Sequence, residues 1–275
     1  MKTWAIIEDT FRECLGKKIL VGFFGLSTLL ILALTFLFNV DIAGSQAAIS
    51  FLFDKGAKDL ELSKLQEVFL QLEGSFAVVL LTAGLFLSIF ATADLVPSIL
   101  QKGRIDLYLA RPVSRPQFLL GKFLGSLTMV SVNIVYAIVG IWLVIGIKIG
   151  LWNPRFLFAS LAIIVMFAVY YAIMLLVGVL TQSAAITVMV TYVIIVINPL
   201  LYKKDTFLLL TDNKILKFTV DLIYQISPRY SQMIGIINKL VQGKPVESWV
   251  PVLANLLIGL VVFSLTVQIF SRKDY

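Results

Sequence analysis

Six stretches of this chain, Leu20 to Val40, Phe76 to Ala93, Phe123 to Ile147, Phe156 to Leu180, Ala184 to Leu201 and Val250 to Phe270, run without a single charged side chain. A helix rising about 1.5 Å per residue needs about 20 residues to cross some 30 Å of hydrocarbon. No water reaches a peptide group in that layer, so such runs cross as helices that satisfy their own backbone. The pattern predicts an all-α polytopic membrane protein with six transmembrane helices. Composition agrees: 59% of the residues are hydrophobic and 14% charged, against about 45–50% and about 25% in soluble domains. The lipid bilayer is therefore the first partner, and an even number of crossings puts both termini on one side.

Charge placement indicates which side. The net charge is +7, but the basic residues sit in short stretches between apolar runs, without the basic stripe and interleaved aromatics of a nucleic-acid reader. Contact with anionic headgroups accounts for them, and no nucleic-acid partner is expected. Lys2, Arg12, Lys17 and Lys18 precede the first run, Lys102, Arg104, Arg111, Arg115 and Lys122 separate the second from the third, and Arg272 and Lys273 follow the sixth. The opposite loops carry twelve Lys or Arg over a longer stretch, and in the first of them six acids accompany the lysines. The positive-inside rule then places both termini in the cytoplasm of a multi-pass protein of the cell membrane. The first run is too long for a signal-peptide core and reads as an uncleaved anchor.

Two segments outside the runs are amphipathic. Trp4, Ile7, Phe11, Cys14 and Leu15 fall on one face of an N-terminal helix, with Asp9, Arg12 and Glu13 elsewhere, the pattern of an interfacial helix lying among headgroups. Between the last two runs, Met233, Ile236, Ile237, Leu240 and Val241 repeat at helical spacing after Pro228, with a shorter helix upstream from Ile215 to Ile223. Residues 202–249 are thus expected to form an outer-face helical insertion. With no internal repeat, residues 1–275 read as one membrane domain.

The chain is poor in catalytic equipment. Cys14 is the only cysteine and there is no histidine, so zinc, haem and disulfide chemistry lack their usual ligands. Glu73 and Asp94 lie near span ends, and the six runs hold no acid. An intramembrane enzyme, or a carrier driven by protons or sodium, would keep ionisable groups there. Polar residues within the spans are Asn133 and Tyr136 in the third and Thr187, Thr191, Tyr192 and Asn198 in the fifth. They are candidates for a transport path or dimer interface, although interhelical hydrogen bonding is the commoner use. Gly121-x-x-x-Gly125 reads as close helix packing.

The connection at 94–122 is longer than joining two helices requires. Gly103, Pro112 and Pro116 divide it, Ile99, Leu100, Ile105, Tyr108 and Leu109 give it an apolar face, and Arg104, Arg111 and Arg115 supply anion-binding groups. The run Leu109-Ala110-Arg111-Pro112-Val113-Ser114-Arg115, followed by Phe118-Leu119-Leu120-Gly121-Lys122-Phe123-Leu124-Gly125, resembles the signature of the type-2 ABC exporter permeases, the group that includes the permease of the nitrous-oxide reductase maturation system. Gln101, Lys102 and Arg104 depart from the acidic and small residues that many relatives carry around the glycine.

The resemblance implies a function. In that family this connection forms coupling helices that touch the ATP-hydrolysing subunit, which assigns ATPase coupling to Ile99, Leu100, Gly103, Arg104, Leu107, Tyr108, Arg111, Pro112, Arg115 and Lys122. It implies two ABC ATPase copies, which would bind ATP and magnesium, and a second permease copy or paralogue. That copy would meet this one through the first and fifth spans, along Phe23 to Phe38 and Thr187 to Asn198. No phosphate-cradling glycine loop is present here, since Pro116 stands five residues before Gly121-Lys122. The expected function is export, with the apolar spans favouring a hydrophobic or amphiphilic cargo, or else force transmission to a partner. The alternatives are an ATP-independent carrier and a membrane scaffold.

Overall fold

The computed structural model describes residues 2–16, 18–43, 46–51, 54–95, 97, 114–204 and 214–273. Its helices are α1 (Lys2–Gly16), α2 (Lys18–Leu37), α3 (Leu62–Thr92), α4 (Arg115–Ile149), α5 (Pro154–Thr181), α6 (Ala184–Tyr202), α7 (Lys214–Ile226), α8 (Tyr230–Val241) and α9 (Val250–Arg272). Among the described residues, α3 from Glu67, α4, α5, α6 and α9 are long and apolar enough to cross a membrane. The apolar stretch Val21–Phe36 of α2 is shorter.

The helices outrun the apolar stretches that announce them. The third span was expected from Phe123, yet α4 begins at Arg115. Ser114 is its N-cap: the hydroxyl accepts from the Gln117 amide while the Gln117 side chain accepts from the Ser114 amide, a reciprocal capping box with Pro116 in the first turn. At the far end the helix stops at Gly150, whose φ of 76° suits a residue without a Cβ, and its N–H returns to the Gly146 carbonyl. Asn153 then caps α5, its Oδ1 accepting from the Arg155 amide.

The first span ends at Leu37, short of the expected Val40, because the chain turns into a small antiparallel sheet. Strands β1 (Phe38–Ala43), β2 (Gln46–Phe51) and β3 (Asp54–Glu61) pair in order, with Phe38 opposite Phe51 and Gln46 opposite Glu61. The all-α expectation holds for the membrane body, and this meander is an addition to it.

At the centre stands α5, which packs against α3, α4, α6, α8 and α9. Phe156, Phe167, Tyr170 and Tyr171 on it are fully buried, and Phe167, Tyr171 and Phe123 form a stack. The outer helices expose apolar side chains: Val21, Leu29 and Phe36 on α2, Met189, Val193 and Val196 on α6, Leu253, Leu257 and Leu260 on α9. In a bilayer these are the surfaces that lipid or another spanning helix covers. One end of the bundle carries α1, the close of α3 and the start of α4. The other carries the meander, the α4–α5 turn, α7 and α8.

Candidate functional site

The α1 end is held by cations. From the first turn of α4, Arg115 donates to the carbonyls of Phe270, Ser271 and Lys273 at 3.4, 3.4 and 2.5 Å, covering the open C-terminus of α9. Lys273 does the same for α5, its Nζ donating to the Val179 carbonyl at 2.9 Å. Two turns further along α4, the Lys122 side chain is wholly buried. Its ammonium lies 2.7 Å from Glu13 Oε2 and 3.9 Å from Asp9 Oδ2, both on α1. A buried ammonium is tolerable only when paired in this way.

Glycines on α4 bring α1 close enough for that pairing. A Cβ on Gly121 would stand 2.7 Å from Ile6 Cγ2, and one on Gly125 would stand 2.7 Å from Thr10 Cβ. The Gly121-x-x-x-Gly125 motif is therefore a packing motif, as the spacing predicts, and its occupant is the amphipathic N-terminal helix. Lys122, expected in the coupling surface, is instead covered by α1.

The remaining coupling candidates, Ile99, Leu100, Gly103, Arg104, Leu107, Tyr108, Arg111 and Pro112, lie outside the described residues. Both shores of that segment are described. Leu95 and Pro97 are buried, and Pro97 Cγ lies 3.4 Å from where a Cβ of Gly178 would stand, against the last turn of α5. On the other shore Ser114 and Arg115 are tied to α4 and α9.

Most polar residues of the spans turn inward, and Tyr136 stays partly exposed. Asn133 accepts from the Ser27 hydroxyl at 3.1 Å, and Tyr136 and Thr28 share a hydrogen bond of 3.0 Å, so both tie α4 to α2. Thr187 and Thr191 are buried and return their hydroxyls to carbonyls one turn back at 2.7 and 2.8 Å. Tyr192 donates to the Phe86 carbonyl of α3 at 2.7 Å. The face of α6 that carries Thr187, Thr191 and Asn198 is thus internal, and Met189, Val193 and Val196 present the outer one.

At the α8 end the buried fastenings are amides, with the ion pairs Lys204–Asp221 and Lys239–Glu247 nearer the surface. Asn198 donates to the Ser227 hydroxyl at 3.2 Å and to the Pro228 carbonyl, and accepts from the Ser231 amide at 3.0 Å. Asn255 of α9 accepts from the Arg229 amide at 2.7 Å and reaches Met166 Sδ at 3.3 Å. Tyr230 donates to Thr82 Oγ1 at 2.7 Å. Burial pushes its phenol pKa up, against the Thr82 hydrogen bond that lowers it, so the group remains a neutral donor.

Two further features escaped sequence reasoning. Glu73 of α3 is only 2% exposed, and Asn153 Nδ2 donates to its Oε2 at 2.6 Å and to the Val241 carbonyl at 3.0 Å. A lone acid three residues before an apolar run was the available signal. Beside it lies a cavity of about 280 Å³ whose lining includes Glu73, Trp152, Asn153 and Arg155. A separate cavity of about 370 Å³ between α5, α6, α7 and α9 is lined almost entirely by apolar side chains, among them Ile173, Ile194, Ile223 and Val262. Among the described residues no three carboxylate or cysteine groups gather to hold a metal ion.

A family model described as "ABC-2 family transporter protein" matches residues 4–275. Comparison with curated proteins gives no match.

Proposed function

Because the chain belongs to the ABC-2 transporter family, it is a multi-pass permease subunit of an ABC transporter, and we propose that it converts ATP hydrolysis by a separate ATPase into movement of its own spans. In this reading the α1 end faces the cytoplasm and α2 is the sixth span. Residues 98–113 are the coupling segment, read by the ATPase through Ile99, Leu100, Gly103, Arg104, Leu107, Tyr108, Arg111 and Pro112. Two ATPases serve two permease chains, this one and a copy or paralogue. The two chains meet through the apolar outer faces of α2 and α6, since Thr187, Thr191 and Asn198 are engaged internally. The closer likeness to the nitrous-oxide maturation permease belongs to the same proposal.

The observation that carries this reading is the anchorage of both shores of residues 98–113. Pro97 rests on the end of α5, the central helix, and Arg115 grips the end of α9. A push on the segment is delivered to packed helices rather than dissipated in a loop. Lys122 and Arg115 become transmission residues behind the contact surface. Export of a hydrophobic or amphiphilic cargo is favoured by the apolar cavity bounded by Ile173 and Val262, with force transmission to a partner protein as the other output.

Affinity purification of the tagged chain from its native membrane in mild detergent tests the proposal. A nucleotide-hydrolysing chain should co-purify, and Arg104→Ala with Arg111→Ala should weaken its retention about tenfold. Arg115→Ala should retain the ATPase yet lose any nucleotide-dependent change in spin-label distance between the ends of α3 and α4. A chain that purifies alone and is indifferent to nucleotide would overturn the reading.

A further inference from the structure

Glu73 presents a problem that the transporter reading does not solve. It lies inside the spanning part of α3 that begins at Glu67, it is buried, and one amide donor, Asn153 Nδ2, serves its Oε2. Oε1 has no hydrogen-bond partner among the described residues. Burying a carboxylate with one oxygen unserved is costly, and an ionisable group at such a depth marks a binding site unless a protein partner is found for it.

The cavity beside it holds the complementary charge at a distance. Arg155 lines the same space, its guanidinium lies over Gly243 beyond α8, and none of the ion pairs found joins it to Glu73. An acid and a base that share a cavity of about 280 Å³ without touching are arranged for a ligand with both charges. That volume equals about nine water molecules. Phe69, Leu70, Ile145 and Leu151 supply an apolar wall, and Trp152 stands half exposed in the lining.

Depth chooses among zwitterions. The cavity is built on the turn between the end of α4 at Ile149 and the start of α5 at Pro154, where two spans leave the hydrocarbon. A half-exposed tryptophan at that level is typical of the headgroup belt. We propose that the cavity binds the headgroup of an ethanolamine phospholipid, its ammonium donating to Glu73 and its phosphate accepting from Arg155. A choline headgroup has the same charges but no N–H to donate, so it leaves Oε1 unserved.

The inference concerns this chain alone and stands or falls apart from the transporter reading. The test is calorimetric titration of the full chain in detergent with dihexanoyl phosphatidylethanolamine, dihexanoyl phosphatidylcholine and soluble O-phosphoethanolamine. The ethanolamine lipid should bind at least about tenfold more tightly than the choline lipid, and Glu73→Gln and Arg155→Gln should each erase about tenfold of that affinity. The thermal midpoint of Glu73→Gln should hold or rise, because a buried charge has gone. Should Glu73→Gln not fold, Arg155→Gln at the cavity lining carries the test. Equal affinity for the two lipids, or lipid binding that ignores both substitutions, overturns the proposal. Soluble O-phosphoethanolamine binding as tightly as the lipid would make the occupant a free solute and overturn the lipid assignment.

Discussion

The two ends of this bundle are fastened by different chemistry. At the α1 end Arg115, Lys122 and Lys273 reach across helices to carbonyls and carboxylates. At the α8 end the buried joints fall to the amides of Asn153, Asn198 and Asn255, and the ion pairs there, Lys204–Asp221 and Lys239–Glu247, lie at more exposed positions. An amide bonded to a neutral group, as Asn198 and Asn255 are, holds it at a fixed distance and is little altered by salt. A cation is attracted at longer range, can exchange one acceptor for another, and is weakened by screening where water reaches it. The difference separates an end suited to being re-formed during a working cycle from one suited to staying as it is.

Breaking one fastening at each end tests that contrast. The largest effect belongs to Glu13→Gln, which removes the carboxylate charge that lies 2.7 Å from the buried Lys122 ammonium. A loss of about 3 kcal/mol is expected, read as a lowered thermal midpoint in detergent. Replacement of both Lys122 and Glu13 by methionine should recover most of it, because two apolar side chains at a buried site need no partner. Next comes Asn198→Leu, which strips partners from the Ser231 amide and the Pro228 carbonyl. It should cost about 2 kcal/mol at any ionic strength, and a salt-dependent cost would erase the distinction between the ends.

The smallest effect, and the sharpest discriminator, comes from Gly121→Ala. Its new methyl would meet Ile6 at 2.7 Å, so α1 must lift by a fraction of an ångström at about 1 kcal/mol. Limited proteolysis within α1 should then accelerate. Cleavage around α8 should be unchanged. Equal acceleration at both ends would show that α1 is not held independently.

Local information was legible in the sequence, and distant pairing was not. Runs such as Phe156 to Leu180 announce a span because a helix satisfies its backbone from its own residues, and the N-terminal periodicity announces α1 for the same reason. The start of the third span is hidden because its apolar run stops at Lys122 and Arg115, whose charges are accommodated by α1 and α9. The reciprocal Ser114 and Gln117 pattern was the available sign that α4 starts earlier. The meander at 38–61 escaped because strands depend on partners whose register is not written locally. Lys122 was assigned to the coupling surface on family resemblance alone, and its actual partner stands 109 positions away. The internal orientation of Thr187, Thr191 and Asn198 fits the commoner use of polar groups in spans.

The grip of Arg115 on α9 also bears on how the chain comes to be assembled. The guanidinium and its acceptors are separated by 155 to 158 positions, and ribosomes deliver α4 long before α9. Until α9 has entered the bilayer, the first turn of α4 carries a cation without its carbonyls and the end of α5 lacks Lys273. The nascent protein is thus open at this end for most of its synthesis. Insertion of the last helix is the event that shuts it, which makes acquisition of a tightly closed α1 end a late checkpoint in biogenesis.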